Sequence, residues 1–360
     1  MRFLDFDFDP RVEWSSTLPS ELYFKPEVLD AERRKIFFRT WQLVGRLDQV
    51  KSSGDYFTSN LAGEPLLVVR DQSGTVRAFH NVCRHRAGEV ATGAGQCRVF
   101  RCSYHGWTYS LDGALIGMPD WDGVQGFAKE SMGLKPVETA VWNQFIFARV
   151  TESRETLADS LGDIPTRLAD TKISEMQHVA RRDYVIECNW KVYVDNYLEG
   201  YHIPIVHPSL MREIDFEHYR SITSRYSSLQ DAPIRPGEDV GRRYNPSESQ
   251  REALYFWMFP NLMLNVYPDN ISTNLIVPLG PERTLTVFEW YFASVQKLDE
   301  TLRLSDEIQQ EDIAVCEAVQ RGLMSISYDR GRYSVKRENG VHHFHSLWRE
   351  FMLEPESDHA

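Results

Sequence analysis

The sequence predicts an α+β protein in two parts, a small all-β domain followed by a mixed domain on an antiparallel sheet. Short β-runs separated by turn residues fill residues 41–150. A second set of β-runs fills residues 254–294, and an amphipathic helical pattern spans 298–323. The expected divisions are an N-terminal arm and helix at 1–37, the all-β domain at 38–150, and the mixed domain at 151–360.

Within the arm, residues 26–38 read as a helix. EPLLVVRD, TVRAFHNV, CRVFRCS and WTYSLDGALIG read as the strands of the first domain. Asp71-Gln72-Ser73-Gly74 and Asp112-Gly113 supply turns between them. In the second domain, 151–165 and 190–203 read as helices, and the polar, Pro/Gly/Arg-rich stretch 215–250 reads as a long loop. LYFWMF, LMLNVY, STNLIVPL and RTLTVFEWYF read as its strands. There is no internal repeat and no low-complexity segment.

Composition narrows the function. A net charge of −12 argues against a nucleic-acid partner. No apolar run reaches membrane-spanning length, so no membrane partner is expected. The N-terminus carries early acids and no apolar core of a secretory signal, so a cytoplasmic location is expected. Five cysteines, an odd number, suggest a reducing compartment without a disulfide framework. Cys97, Cys188 and Cys316 read as small buried hydrophobes.

Cys83 and Cys102 belong to a motif. The pattern C-x-H-x16-C-x2-H places Cys83, His85, Cys102 and His105 in two short loops. Two thiolates and two imidazoles suit a Rieske [2Fe–2S] cluster. A Cys2His2 zinc site is the rival, but such sites more often pair cysteine with cysteine and histidine with histidine. Ser103 and Tyr104 could donate to cluster sulfurs, and Trp107 could shield one side. Respiratory-type clusters carry an added disulfide at positions held here by Gly88 and Tyr104, which favours the lower-potential, oxygenase type.

A second constellation lies in NWKVYVDNYLEGYHIPIVHP. Mononuclear ferrous oxygenases hold iron with two histidines and one carboxylate, leaving positions open for dioxygen. His202 and His207 are candidates. On an unbroken helix their directions would differ by about 140°, but Pro204 favours a break that lets them converge. The carboxylate candidate is Asp312, which falls on a helical stripe with Ile308, Val315, Val319 and Leu323. A buried carboxylate is costly unless paired or metal-bound. Glu311, about 100° around the helix, reads as solvated.

These residues resemble the catalytic α subunit of Rieske non-haem iron oxygenases over essentially the whole chain. NYLEGYHIPIVHP, EDIAVCEAVQRGL and GRYSVKRENGVHHFH are similar to the branch of carnitine, glycine betaine and choline monooxygenases and stachydrine demethylase. The resemblance implies a Rieske domain joined to a helix-grip (START-like) catalytic domain, with an iron triad at His202, His207 and Asp312. It implies a homotrimer in which an acid, here Glu199, couples one subunit's cluster to its neighbour's iron. Asn189 matches a residue near the iron in relatives, where it could gate a coordination position; it also reads as a helix-start residue. His342, His343 and His345 read as strand residues pointing to alternate sides, not as a third metal site.

No flavin or nicotinamide motif is evident, so electrons are expected from a separate NAD(P)H-dependent reductase, with or without a ferredoxin. Tyr197, Tyr201, Phe256, Trp257, Phe259, Tyr267, Phe288 and Trp290 are candidates for an aromatic cage around a methylated ammonium. The expected reaction is hydroxylation of a small quaternary ammonium compound. At an N-methyl group this yields a carbinolamine that loses formaldehyde. Two alternatives stay open: an aromatic acid substrate, which would need a cationic pocket residue, and an electron carrier with a vestigial second site.

Overall fold

The computed structural model describes residues 4–153, 155–235, 252–267, 270–294 and 298–355. The chain divides into two compact units, residues 37–157 and residues 1–36 with 158–360.

The first unit is all-β apart from short helical turns. Its strands are β1 (Gln42–Arg46), β2 (Asp55–Leu61), β3 (Glu64–Arg70), β4 (Val76–His80), β5 (Ala94–Gln96), β6 (Phe100–Arg101), β7 (Thr108–Tyr109), β8 (Leu115–Gly117), β9 (Pro136–Trp142) and β10 (Phe145–Arg149). Seven form one sheet in the order β1-β10-β9-β4-β3-β2-β5, and β6-β7-β8 form a small second sheet. The β3–β4 turn closes on Asp71, whose carboxylate accepts from the backbone N–H groups of Ser73 and Thr75 at 2.8 and 2.9 Å. Leu67, Val69 and Phe79 of the large sheet share a core with Phe100, Trp107 and Tyr109 of the small one.

The second unit opens with α1 (Pro26–Glu32), which a π-type turn over Arg33–Phe37 extends, so the helix expected at 26–38 is regular only in its first half. Two short helices follow, α2 (Leu157–Leu161) and α3 (Ile164–Arg167). The sheet has seven antiparallel strands: β11 (Gln177–Ile186), β12 (Arg220–Thr223), β13 (Ser227–Pro233), β14 (Glu252–Met258), β15 (Leu262–Val266), β16 (Asn270–Gly280) and β17 (Arg283–Phe292). Their order is β11-β17-β16-β15-β14-β13-β12. The helices over it are α4 (Trp190–Tyr197), α5 (Ile203–Val206), α6 (Pro208–Glu213), α7 (Leu298–Leu323) and α8 (Asn339–Leu353).

Three expectations need correction. The 215–250 stretch is not all loop, because β12 and β13 lie in it; residues 236–250 fall outside the described residues. The helix expected over 190–203 ends at Tyr197. The histidines of HHFH lie on helix α8, not on a strand. His342 and His345 are buried in separate hydrogen bonds, to Asp9 O and to Asp195 and Tyr333.

One buried ion pair ties α1 to the helices. Lys191 Nζ lies 2.7 Å from Glu32 Oε1, and both side chains are fully buried. Glu32 also accepts from the indoles of Trp190 and Trp348, at 2.8 and 2.6 Å. Burial holds the Lys191 ammonium below its ordinary pKa, against the pull of Glu32.

Candidate metal centres

The four cluster candidates sit on two tight turns of the first unit. In one, Cys83 N donates to Gly88 O and Ala87 N returns to Cys83 O. In the other, Cys102 N donates to Trp107 O and Gly106 N returns to Cys102 O. Ala87 and Gly106 take positive φ, 57° and 72°, which lets each turn close within a few residues. A side chain at Gly88 would place its Cβ 3.4 Å from Cys102 Sγ and 3.7 Å from Tyr104 Cβ. The two positions without cysteine are therefore neighbours beside Cys102 Sγ.

Cys83 and Cys102 are buried, free thiols. The rings of His85 and His105 lie 4.6 Å apart by centroid. His85 Nδ1 is buried and has no hydrogen-bond partner among the described residues. A buried ring nitrogen without a partner fits a metal ligand, as do two buried thiols on neighbouring turns of one core. Trp107 stacks on His85 at 4.9 Å, the expected shield.

The hydroxyl beside the sulfurs comes from Tyr109, which the sequence reading missed. Its OH lies 3.3 Å from Cys83 Sγ and accepts from Arg84 N at 3.0 Å, so its proton is left to donate to sulfur. Burial pushes this phenol well above its ordinary pKa, which keeps it a donor. Ser103 and Tyr104, the expected donors, are exposed.

In the second unit, α4 stops at Tyr197 and the chain turns through Glu199-Gly200. Gly200 is required there, because a Cβ would lie 2.7 Å from the Tyr219 ring. His202 then caps α5 and His207 caps α6, each followed within two residues by proline, Pro204 and Pro208. The breaks cancel the angular divergence of an unbroken helix. His202 Nε2 and His207 Nε2 lie 3.1 Å apart. Asp312 Oδ1 is 3.0 Å from His207 Nε2 and 3.8 Å from His202 Nε2. The three ligand atoms lie within 4.8 Å of one another, which fits one metal ion with two imidazoles and one carboxylate.

Each support is specific. Glu199 Oε1 holds His202 Nδ1 at 2.5 Å, and its other oxygen accepts from the backbone of Tyr201 and His202. Asn196 Nδ2 donates to Asp312 Oδ1 at 2.7 Å. Glu311 Oε2 lies 2.6 Å from His207 Nδ1, which corrects its reading as a solvated acid. Burial alone would lower the pKa of His207, but the hydrogen bonds and charges of Asp312 and Glu311 outweigh it and raise it.

Asp312 reaches the site, on a stripe that is buried only in part. Val319 is 45% exposed, and the buried line of α7 is Gln309, Cys316, Gln320 and Leu323. Two glutamines can be buried there because Gln309 accepts from Tyr193 OH and Gln320 accepts from Asn189 N. Asn189 is the N-cap of α4: its Oδ1 accepts from Lys191 N at 3.0 Å, and its Nδ2 donates to Pro281 O. It is not among the residues lining the cavity at the triad, so its expected gating role is replaced by capping; Asn196 is the asparagine that touches Asp312.

That cavity, about 130 Å³, is built by strand register. Gln230, Tyr255, Asn265, Ser272 and Trp290 are successive cross-strand partners from β13 to β17, and all five line it. Asn274 and its partner Phe288 form the next contribution. Of the expected aromatic residues, Tyr197, Tyr267, Phe288 and Trp290 line the cavity. Tyr201 is exposed, while Trp257 and Phe259 pack against Phe344 of α8 and Phe256 is buried elsewhere. Tyr193 on α4, Tyr219 before β12 and Tyr255 on β14 are further lining residues, the last of them placed by strand register.

Comparison with known proteins agrees with both units. Residues 40–128 match the Rieske [2Fe-2S] domain, and residues 173–354 match the ring hydroxylating alpha subunit (catalytic domain). The chain is 41% identical to choline monooxygenase, chloroplastic, of Arabidopsis thaliana, over 95% of this chain and 84% of that protein. It is 31% identical to the carnitine monooxygenase oxygenase subunit of Acinetobacter pittii, over 95% of this chain and 96% of that protein. The crystal structure of the quaternary ammonium Rieske monooxygenase CntA with L-carnitine superposes with a TM-score of 0.83 at 29% identity, covering 96% of this chain and 98% of that one. No helix among the described residues is long and apolar enough to cross a membrane. The chain belongs to the ring-hydroxylating α-subunit family: it is a Rieske non-haem iron oxygenase, an oxidoreductase of a [2Fe–2S] cluster and a mononuclear iron.

Proposed function

We propose that this chain is the terminal oxygenase for a small quaternary ammonium compound, with the cluster held by Cys83, His85, Cys102 and His105 and the iron by His202, His207 and Asp312. The observation that carries the substrate reading is the lining of the cavity beside the triad. Its charged lining residues outside the histidines are the acids Glu199 and Asp312, and its remaining polar groups are neutral, among them Asn265, Asn274 and Gln309. Aromatic side chains surround them. With no arginine or lysine among its described lining residues, such a wall favours a cation held on ring faces over an aromatic acid. The choline and carnitine monooxygenases among its relatives support the same class.

When bound, the cluster supplies single electrons and the ferrous ion activates dioxygen. The chain's own residues prepare that chemistry. Asn196 fixes one oxygen of Asp312, and Glu199 fixes the ring of His202. Burial pushes the phenols of Tyr193 and Tyr197 far above their ordinary pKa, so they stay protonated, and their hydrogen bonds to Gln309 and Asn265 hold the rings in place. The wall thus keeps its shape around the substrate. Electrons come from a separate reductase, and the working assembly is a homotrimer in which Glu199 carries the coupling to a neighbour's cluster.

The test is to reduce the metal-loaded protein and expose it to dioxygen with choline, glycine betaine, carnitine and aromatic acids in separate reactions. Products and formaldehyde are read by mass spectrometry. Hydroxylated or demethylated ammonium product is expected. Product from aromatic acids alone would overturn the substrate reading.

A further inference from the structure

His207 is the most enclosed member of the triad, with a side chain only 2% exposed. A ring ligating through one nitrogen must carry its proton on the other, and that N–H fixes the ring's rotation. At His207 the two nitrogens face opposite tasks. Nε2 faces Asp312 and His202, at 3.0 and 3.1 Å. Nδ1 faces Glu311 Oε2, at 2.6 Å.

Consecutive residues of α7 thus bracket one imidazole. They point about 100° apart on the helix, so Asp312 can reach the ligand side of the ring while Glu311 reaches its back. The arrangement repeats at His202, where Glu199 Oε1 takes Nδ1 at 2.5 Å. The carboxylate behind His202 comes from the same loop, three residues away; the one behind His207 comes from 104 residues further along the chain. Glu311 is therefore tied to the ring only through the fold.

A salt bridge at the protein surface is the competing use for Glu311. Its side chain is 29% exposed. Among the described residues, however, its one ion pair is with His207. Neither of the nearby α7 cations, Arg303 and Arg321, forms a pair with it; Arg303 pairs with Glu307. The acid is placed for the imidazole.

We propose that Glu311 is a positioning residue for the iron site: by accepting from His207 Nδ1–H it locks the tautomer and rotation that aim Nε2 at the metal. Its function is separate from ligation, which belongs to Asp312. The inference rests on the ligand set proposed above and is independent of which substrate the cavity takes.

Ferrous-ion affinity, measured by competition with a chromogenic chelator, reads the effect directly. Glu311→Ala should weaken iron retention about 10–100-fold, with the visible absorbance of the Rieske cluster unchanged. Glu311→Gln keeps an oxygen acceptor and should recover most of that affinity. The electron paramagnetic resonance signal of the nitric oxide adduct should broaden in the alanine variant, as a ring free to rotate gives a spread of ligand geometries. A merely structural acid would lower thermal stability and leave both readings alone. Wild-type affinity and signal in Glu311→Ala would overturn the proposal; if that variant fails to fold, Glu311→Met replaces it, where a loss of iron affinity beside near-native affinity in Glu311→Gln supports the proposal and equal affinity in the two overturns it. Asp312→Ala run in parallel separates the two levels. Iron retained there sinks the ligand set itself, whereas iron lost there but kept in Glu311→Ala sinks only the positioning role.

Discussion

The side-chain amide of Asn196 donates to Asp312 Oδ1 across 2.7 Å, joining the helix that precedes the two histidines to the helix that carries the acid. The same oxygen lies 3.0 Å from His207 Nε2, so Asn196 sets where the carboxylate meets the metal. Asn196→Ala should lower ferrous affinity about 10–100-fold while leaving the cluster absorbance intact. Chelator competition checks it; unchanged affinity would mean that Asp312 is held by the helix alone.

Fully buried charge is tolerated at Lys191 because Glu32 neutralises it and two indoles complete the carboxylate's hydrogen bonds. Lys191→Met leaves a buried, unpaired anion and should cost about 3–5 kcal/mol. Glu32→Gln keeps an acceptor for only one of the two indoles and removes the charge that neutralises the ammonium, so it too should destabilise. Urea unfolding midpoints check both. A small change in either variant would mean that water reaches the pair.

His343 gives the second unit a pH dependence. Burial, with the charge of Arg225 and a smaller push from His342, drives its pKa down to about 4, against the opposing pull of the Ser224 carbonyl and Glu350. The folded protein therefore keeps the ring neutral while the unfolded chain binds a proton below the ordinary value of 6.5. Stability is full above that value, falls as pH drops through the window down to about 4, and levels off below it. The loss has a ceiling of about 3 kcal/mol. His343→Gln should flatten this part of the stability curve, measured by thermal unfolding from neutral to acid pH; an unchanged slope would place the ring in water.

The features that sequence made legible are local ones. Both cluster turns carry their ligands within three or four residues, and His202 and His207 are five apart with prolines marking the breaks. Asp312 was reached by treating α7 as a helix with an apolar stripe. The structure brings Asp312 to the two histidines although Val319 on that stripe is exposed, and the buried line of α7 carries hydrogen-bonded glutamines that hydropathy reads as surface. Glu311 failed for the same reason: helical phase says solvent, while a histidine 104 residues earlier in the chain says otherwise. The edge strands β11 and β12 are too polar to look like strands, since alternate residues of β11 and most of β12 meet solvent. Tyr255 and Trp290 line the cavity while Trp257 does not, a distinction made by cross-strand register and by where α8 covers the sheet. No count of aromatics supplies it.

The proposed triad of His202, His207 and Asp312 oxidises a quaternary ammonium compound held against the β14–β17 wall. A single-turnover reaction of the chemically reduced protein with dioxygen and a trimethylammonium substrate labelled with carbon-13 in its N-methyl groups provides the check, because no reductase is needed. Hydroxylated product, or formaldehyde carrying the heavy carbon, is expected from the native chain and none from Asp312→Ala with its cluster intact. Equal labelled product from the Asp312→Ala protein, or none from the fully metal-loaded native chain with any ammonium substrate, would contradict it.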